Sequence, residues 1–116
     1  MIGTAAAPVT NHPLAMQPPL PKRLGQKTTT KRIDGSPLVY TVVDEEVFHA
    51  RSNPQKAFCL HKIRFETGIE EFRIGSYMIA HKPRMRGKWA WGQYAPMMIR
   101  DEMVEIFEKL KAKGWI

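Results

Sequence analysis

From residue 37 onwards apolar and polar positions alternate, and after residue 100 the pattern changes to a helical period. "PLVYTVV" (Pro37 to Val43) is rich in β-branched residues and follows the turn signal Asp34-Gly35-Ser36, which predicts a strand. In "KAFCLHKIRFE" (Lys56 to Glu66), Cys59, His61, Ile63 and Phe65 share one face, while Lys62, Arg64 and Glu66 share the other. Thr67-Gly68 marks a turn, and "EEFRIGSYMIA" (Glu70 to Ala80) returns as the next strand. It carries Phe72, Ile74 and Met78 on one face and Glu71, Arg73, Gly75 and Tyr77 on the opposite one. The loop "KPRMRG" leads into "KWAWGQYA" (Lys88 to Ala95), completing an antiparallel meander. "DEEVFHARSNP" (Asp44 to Pro54) has two readings: a short helix capped by Asp44, or a second strand after a tight turn at residues 44 to 46.

At the C-terminus, Asp101 is the expected N-cap, and Met103, Val104, Ile106, Phe107 and Leu110 form an apolar stripe at helical spacing. Lys109, Lys111 and Lys113 complement the negative end of the helix dipole, Gly114 suits the left-handed C′ position, and Trp115 falls where a residue folds back on the last turn. The fold class is therefore α+β: a small three- or four-stranded antiparallel sheet, a meander, packed on one C-terminal helix within a single domain of residues 37 to 116. The helix is expected to cover Cys59, Ile63, Phe65, Phe72, Ile74 and Met78.

Residues 1 to 36 lack any aromatic side chain and contain Pro8, Pro13, Pro18, Pro19 and Pro21 with the polar run "GQKTTTKR", the composition of a flexible, disordered, basic Pro-rich tail. Within it, "PPLPKR" (Pro18 to Arg23) reads as a plain linker or as a proline-rich ligand, with Pro18 and Pro21 on one face of a polyproline helix.

The net charge of +7 is unevenly distributed. Lys and Arg minus Asp and Glu gives 5 − 1 = +4 over residues 1 to 36, 5 − 6 = −1 over 37 to 80, 5 − 0 = +5 over 81 to 100 and 3 − 4 = −1 over 101 to 116. The densest stretch is "HKPRMRGKWAWGQY" (His81 to Tyr94), where four cations adjoin two tryptophans and no acid. Concentrated positive potential favours DNA or RNA as partner, or an acidic protein. Nucleic-acid contacts are expected from Lys62, Arg64, Arg73 and Tyr77 on a sheet face and from Lys82, Arg84, Arg86 and Lys88 in the hairpin loop, the cations on phosphates and the rings on bases. Trp89, Trp91 and Tyr94 would either add aromatic surface or belong to the core.

Two rival functions stay open. One is a protein-interaction, inhibitor or assembly module using the aromatic strand and the Pro-rich segment; the other is a metal-independent ribonuclease with His61 or His81 as base beside Arg64 or Arg73. His61 alternates with apolar residues, the pattern of a hydrogen-bonded core histidine. A single cysteine, Cys59, excludes an intramolecular disulfide, and no Cys, His or acid spacing matches a zinc site, so neither metal nor cofactor is expected. No apolar run is long enough for a spanning helix, no signal peptide is evident, and a cytoplasmic location is expected; oligomeric state is not encoded in any pattern.

Overall fold

The alternating segments pair in the order in which they occur. The computed structural model describes residues 17–92 and 95–116, so Tyr94 and the tail reading for residues 1–16 lie outside the described residues. Five strands, β1 (Lys27–Lys31), β2 (Pro37–His49), β3 (Lys56–Phe65), β4 (Glu70–Ile79) and β5 (Trp89–Trp91), form one antiparallel sheet in the order β1-β2-β3-β4-β5. The helix α1 (Arg100–Ala112) follows. The α+β meander with a C-terminal helix stands, with five strands in place of three or four.

The additional strand lies in the span expected to be a tail. Lys27 to Lys31 pair with Thr41 to Pro37 across a turn in which Ser36 donates its N–H to Asp34 Oδ1 at 2.9 Å and Gly35 takes φ 86°. Short hydroxyl and β-branched residues followed by Asp-Gly make a hairpin, and the exposed lysines keep its free edge solvated. The ambiguous segment after Val43 is a strand, because β2 runs unbroken to His49 and pairs with β3 along most of its length.

On β3 the helix covers the face opposite to the one expected, while Phe72, Ile74 and Met78 of β4 do lie on the helix side. The hairpin at Thr67-Gly68 pairs Arg64 with Glu70, and from there Leu60 with Ile74, His61 with Arg73 and Cys59 with Gly75. Odd-numbered residues of β3 and β4 thus share a face, and the even-numbered ones share the other. Combining odd residues of β3 with even residues of β4 was a register error of one, which moves a whole side-chain set across the sheet. Ile106 and Leu110 pack on Phe58, Leu60 and Ala50, with Phe48, Met98 and Trp115 around them. Each large apolar side chain fully buried here contributes roughly 1.5–3 kcal/mol.

The helix begins one residue before Asp101. Ile99 is the N-cap, and Glu102 in the first turn reaches back to accept the Ile99 N–H at 2.9 Å, while its other oxygen accepts the N–H and Oγ–H of Ser52 at 2.9 and 2.8 Å. Burial pushes the Glu102 carboxyl up, and the Ser52 and Ile99 hydrogen bonds more than offset this, leaving it below the usual carboxylate range. At the other end Gly114 has φ 75°, its N–H bonds Lys111 O, and the Trp115 N–H bonds Leu110 O, a Schellman closure. No helix of the described residues is long and apolar enough to cross a membrane.

Candidate functional site

The sheet face turned away from α1 carries a closed polar cluster, and a bulge in β2 creates it. The pairing shifts between Val42 and Asp44, so Tyr40 and Val42 before the irregularity and Glu45 after it point to the same side. Such an extra residue re-aims every side chain that follows it. Glu45 is thereby set opposite His61, and Arg73 flanks His61 from β4.

His61 is fully buried, and both ring nitrogens are engaged. An Arg73 guanidinium N–H meets Nδ1 at 3.0 Å, and Nε2 lies 3.0 Å from Glu45 Oε2. Arginine can only donate, so Nδ1 is the acceptor and Nε2–H the donor: a neutral imidazole. Burial lowers the pKa of His61 from its ordinary value of 6.5, and the Arg73 charge adds to this, while the bond to Glu45 opposes it. Arg73 also donates to Tyr40 Oη at 3.1 Å. Arg73 Nε is the network's one polar atom left without an acceptor among the described residues.

Trp91 lies over this cluster, its ring within 4° of parallel to His61 and the Arg73 guanidinium 4.9 Å from its centroid. Gly75 makes the placement feasible, since a Cβ there would stand 2.4 Å from the Trp91 ring.

The segment 17–24 closes the face. Pro18 O accepts the Trp89 Nε1–H at 3.0 Å, and Leu20 packs on Ala57, Cys59 and Tyr77. Arg23 donates Nε–H to Tyr77 Oη at 3.1 Å, and the N–H groups of Arg23 and Leu24 bond the Glu45 carboxylate at 2.9 and 3.2 Å. The "PPLPKR" motif is therefore occupied by its own sheet. Burial pushes the Cys59 thiol up to about 11 and raises the Tyr77 hydroxyl as well.

The residues singled out from the sequence fall into three groups. Arg73 and Tyr77 belong to the buried cluster. Lys62 and Arg64 lie on the opposite face and pair with Glu70, at 3.5 Å and 2.8 Å, an arrangement in which the Arg64 hydrogen bond lowers the Glu70 pKa. The sheet therefore does not assemble these four into one patch. Lys82, Arg84, Arg86 and Lys88 form the third group, and all four are exposed with His81 in the 81–88 loop.

That loop is internally fixed. The Ala80 N–H bonds Lys88 O and the Gly87 N–H bonds Ala80 O, at 2.9 and 3.0 Å, while Met85 and Lys82 and then Lys88 and Met85 close two further turns, with Gly87 at φ 78°. No carboxylate among the described residues forms an ion pair with any of its four cations. Arg86 and His81 border an open cavity of about 380 Å³ whose other wall includes Gln17, Pro18 and Gln55, so the loop stands beside the docked segment.

Glu45 and Arg23, both central to the buried cluster, escaped sequence reasoning. A hairpin centred on Thr67 already implies that His61 faces Arg73, but nothing in the alternation announces the bulge that brings in Glu45. Among the described residues, no group of three or more His, Cys, Asp or Glu side chains is placed to hold a metal ion. No family model matches the chain, and no curated protein or solved structure does so.

Proposed function

We propose that the protein binds nucleic acid through the 82–88 loop. One observation carries this reading: Lys82, Arg84, Arg86 and Lys88 are exposed on a hydrogen-bonded turn with no ion-pairing acid among the described residues. Like charges held this close repel, and an array of phosphates would relieve that repulsion. The lysines and arginines would neutralise phosphates and release condensed counterions. The turn's internal bonds limit the ordering cost of binding.

The sheet-face contribution is smaller than the sequence pattern suggested. Lys62 and Arg64 already share Glu70, and Arg73 and Tyr77 serve the buried cluster. Both ring nitrogens of His61 are already engaged, which weighs against it as the base of the ribonuclease reading. The Pro18–Arg23 segment is held to its own sheet through Pro18, Leu20 and Arg23, which weighs against it as a ligand for a protein partner.

Fluorescence anisotropy with labelled single-stranded and duplex oligonucleotides, across a salt series, tests the proposal. Replacing all four cations by glutamine should weaken binding and flatten the dependence of log K on log salt by about 0.7–0.9 for each phosphate that is no longer neutralised. An unchanged slope would take the loop out of the interface, and absence of binding to every oligonucleotide at low salt would refute the reading.

A further inference from the structure

One helix cannot cover a five-stranded sheet, and α1 is held to one side of it. Lys109 pairs with Glu46 at 2.7 Å and Lys113 with Asp44 at 3.1 Å, while Glu102 binds Ser52, so the side of α1 bearing residues 102, 109 and 113 is tied to β2 and the turn after it. The side about a quarter turn round, bearing Met103, Phe107 and Leu110, faces away from β2 and toward β4, where Leu110 lines a cavity with Phe72 and Ile74. The even-numbered side chains of β4 meet no second helix. Phe72, Ile74 and Met78 are 54%, 39% and 40% exposed, and Met103, Phe107 and Met97 are 46%, 52% and 79% exposed.

These residues form one trough. At one end Phe72 contacts Trp115, with ring centroids 5.1 Å apart, and Phe72, Arg73, Ile74, Leu110, Trp115 and Ile116 line a shallow cavity. At the other end Lys56, the cross-strand partner of Met78, reaches the Met97 carbonyl. Taking roughly 200 Å² for a fully exposed large apolar side chain, the six exposed residues present about 600 Å². That is the upper end of what a monomer leaves in water, and about three-quarters of the roughly 800 Å² per partner in a stable interface before any polar rim is added.

We infer that this β4–α1 face is the interface of a two-fold symmetric homodimer, in which α1 of each copy lies in the β4 trough of the other. The occupant is a second copy because the face is self-complementary: it offers a ridge, Met103 and Phe107, beside a trough, Phe72, Ile74 and Met78. A two-fold axis sets ridge into trough twice with one contact set. The inference stands on apolar exposure and helix placement and is independent of the nucleic-acid reading.

Sedimentation equilibrium of the full chain over a micromolar concentration series tests it. The expected result is a monomer–dimer equilibrium built on the 13.3 kDa chain. Phe107→Glu and Ile74→Glu, each checked for retained fold by circular dichroism, should raise the dissociation constant about 30-fold or more, the effect of losing one hot-spot side chain. Ile33→Glu adds the same charge to the fully exposed β1–β2 turn and should leave association unchanged. A chain that stays monomeric throughout overturns the inference. So does a dimer that survives both trough variants while folded, or one that Ile33→Glu disrupts equally.

Discussion

Two cationic regions of this molecule are built on opposite rules. In the cluster under Trp91, the Arg73 guanidinium donates to His61 and Tyr40 and that of Arg23 to Tyr77, while the Glu45 carboxylate accepts from His61 and from the Arg23 backbone N–H. In the 82–88 loop four cations stand in solvent with no such partner among the described residues. Buried charge must be matched to be tolerated, so the first region is explained by folding alone. The second region needs no such matching for the fold, and its charge density asks for an explanation from outside the chain.

The sharpest way to break this contrast is Glu45→Ala. The Glu45 side chain is 6% exposed and accepts from His61, Arg23 and Leu24. Its loss strands the His61 Nε2–H and two backbone N–H groups. With about 1–3 kcal/mol for each buried donor left without an acceptor, a loss of roughly 3–5 kcal/mol is expected. Urea denaturation should show that loss. A loss below about 1 kcal/mol would mean that the segment 17–24 is held by packing rather than by the carboxylate.

Gly75→Ala comes next. The added methyl would overlap the Trp91 ring, which is 2.4 Å from the Cβ position, so the indole must leave its place over His61 and Arg73. Overpacking of this kind costs about 1–3 kcal/mol, and a red-shifted tryptophan emission should accompany it. Unchanged stability and emission would show that Trp91 does not close the cluster.

The contrast was partly legible in the sequence. The loop's charge stands in one run, and the meander and helix follow from periods of two and 3.6, because alternation and stripes are local properties. The cluster was not legible, because it depends on cross-strand register and on a bulge. His61 and Arg73 come from adjacent strands, Glu45 arrives through the shift after Val42, and Arg23 comes from a segment whose composition resembles a linker. β1 was missed although Lys27 to Lys31 and the Asp34-Gly35 turn carry a hairpin signal, because prolines nearby dominated the composition. The lone helical stripe suggested full coverage of one sheet face, whereas five strands leave β4 outside it.

The pH dependence of stability separates the two regions more gently. The folded-state pKa of His61 lies below its ordinary 6.5, chiefly through burial, so the unfolded chain takes up a proton first as pH falls. Stability is then full above about pH 7 and declines below pH 6.5, by at most about 1.4 kcal/mol for each unit by which the pKa is depressed. Unfolding curves at pH 7.5 and 5.5 should show the decline. In His61→Gln, less stable overall, most of that slope should vanish; a slope left intact would assign it to another group.

The smallest expected effect is the most telling one. Neutralising Lys82, Arg84, Arg86 and Lys88 together should change stability by no more than about 0.5 kcal/mol, since exposed residues outside any network seldom matter more. The sign should favour the variant. Removing four like charges from one turn relieves repulsion that no nearby acid among the described residues offsets, while the backbone bonds that hold the turn remain. A variant slightly more stable than the parent yet weaker on oligonucleotides would identify these charges as kept against stability, as residues serving a ligand often are. A loss of about 2 kcal/mol or more, measured in the same urea series as Glu45→Ala, would instead make the loop part of the fold and erase the distinction between the two regions.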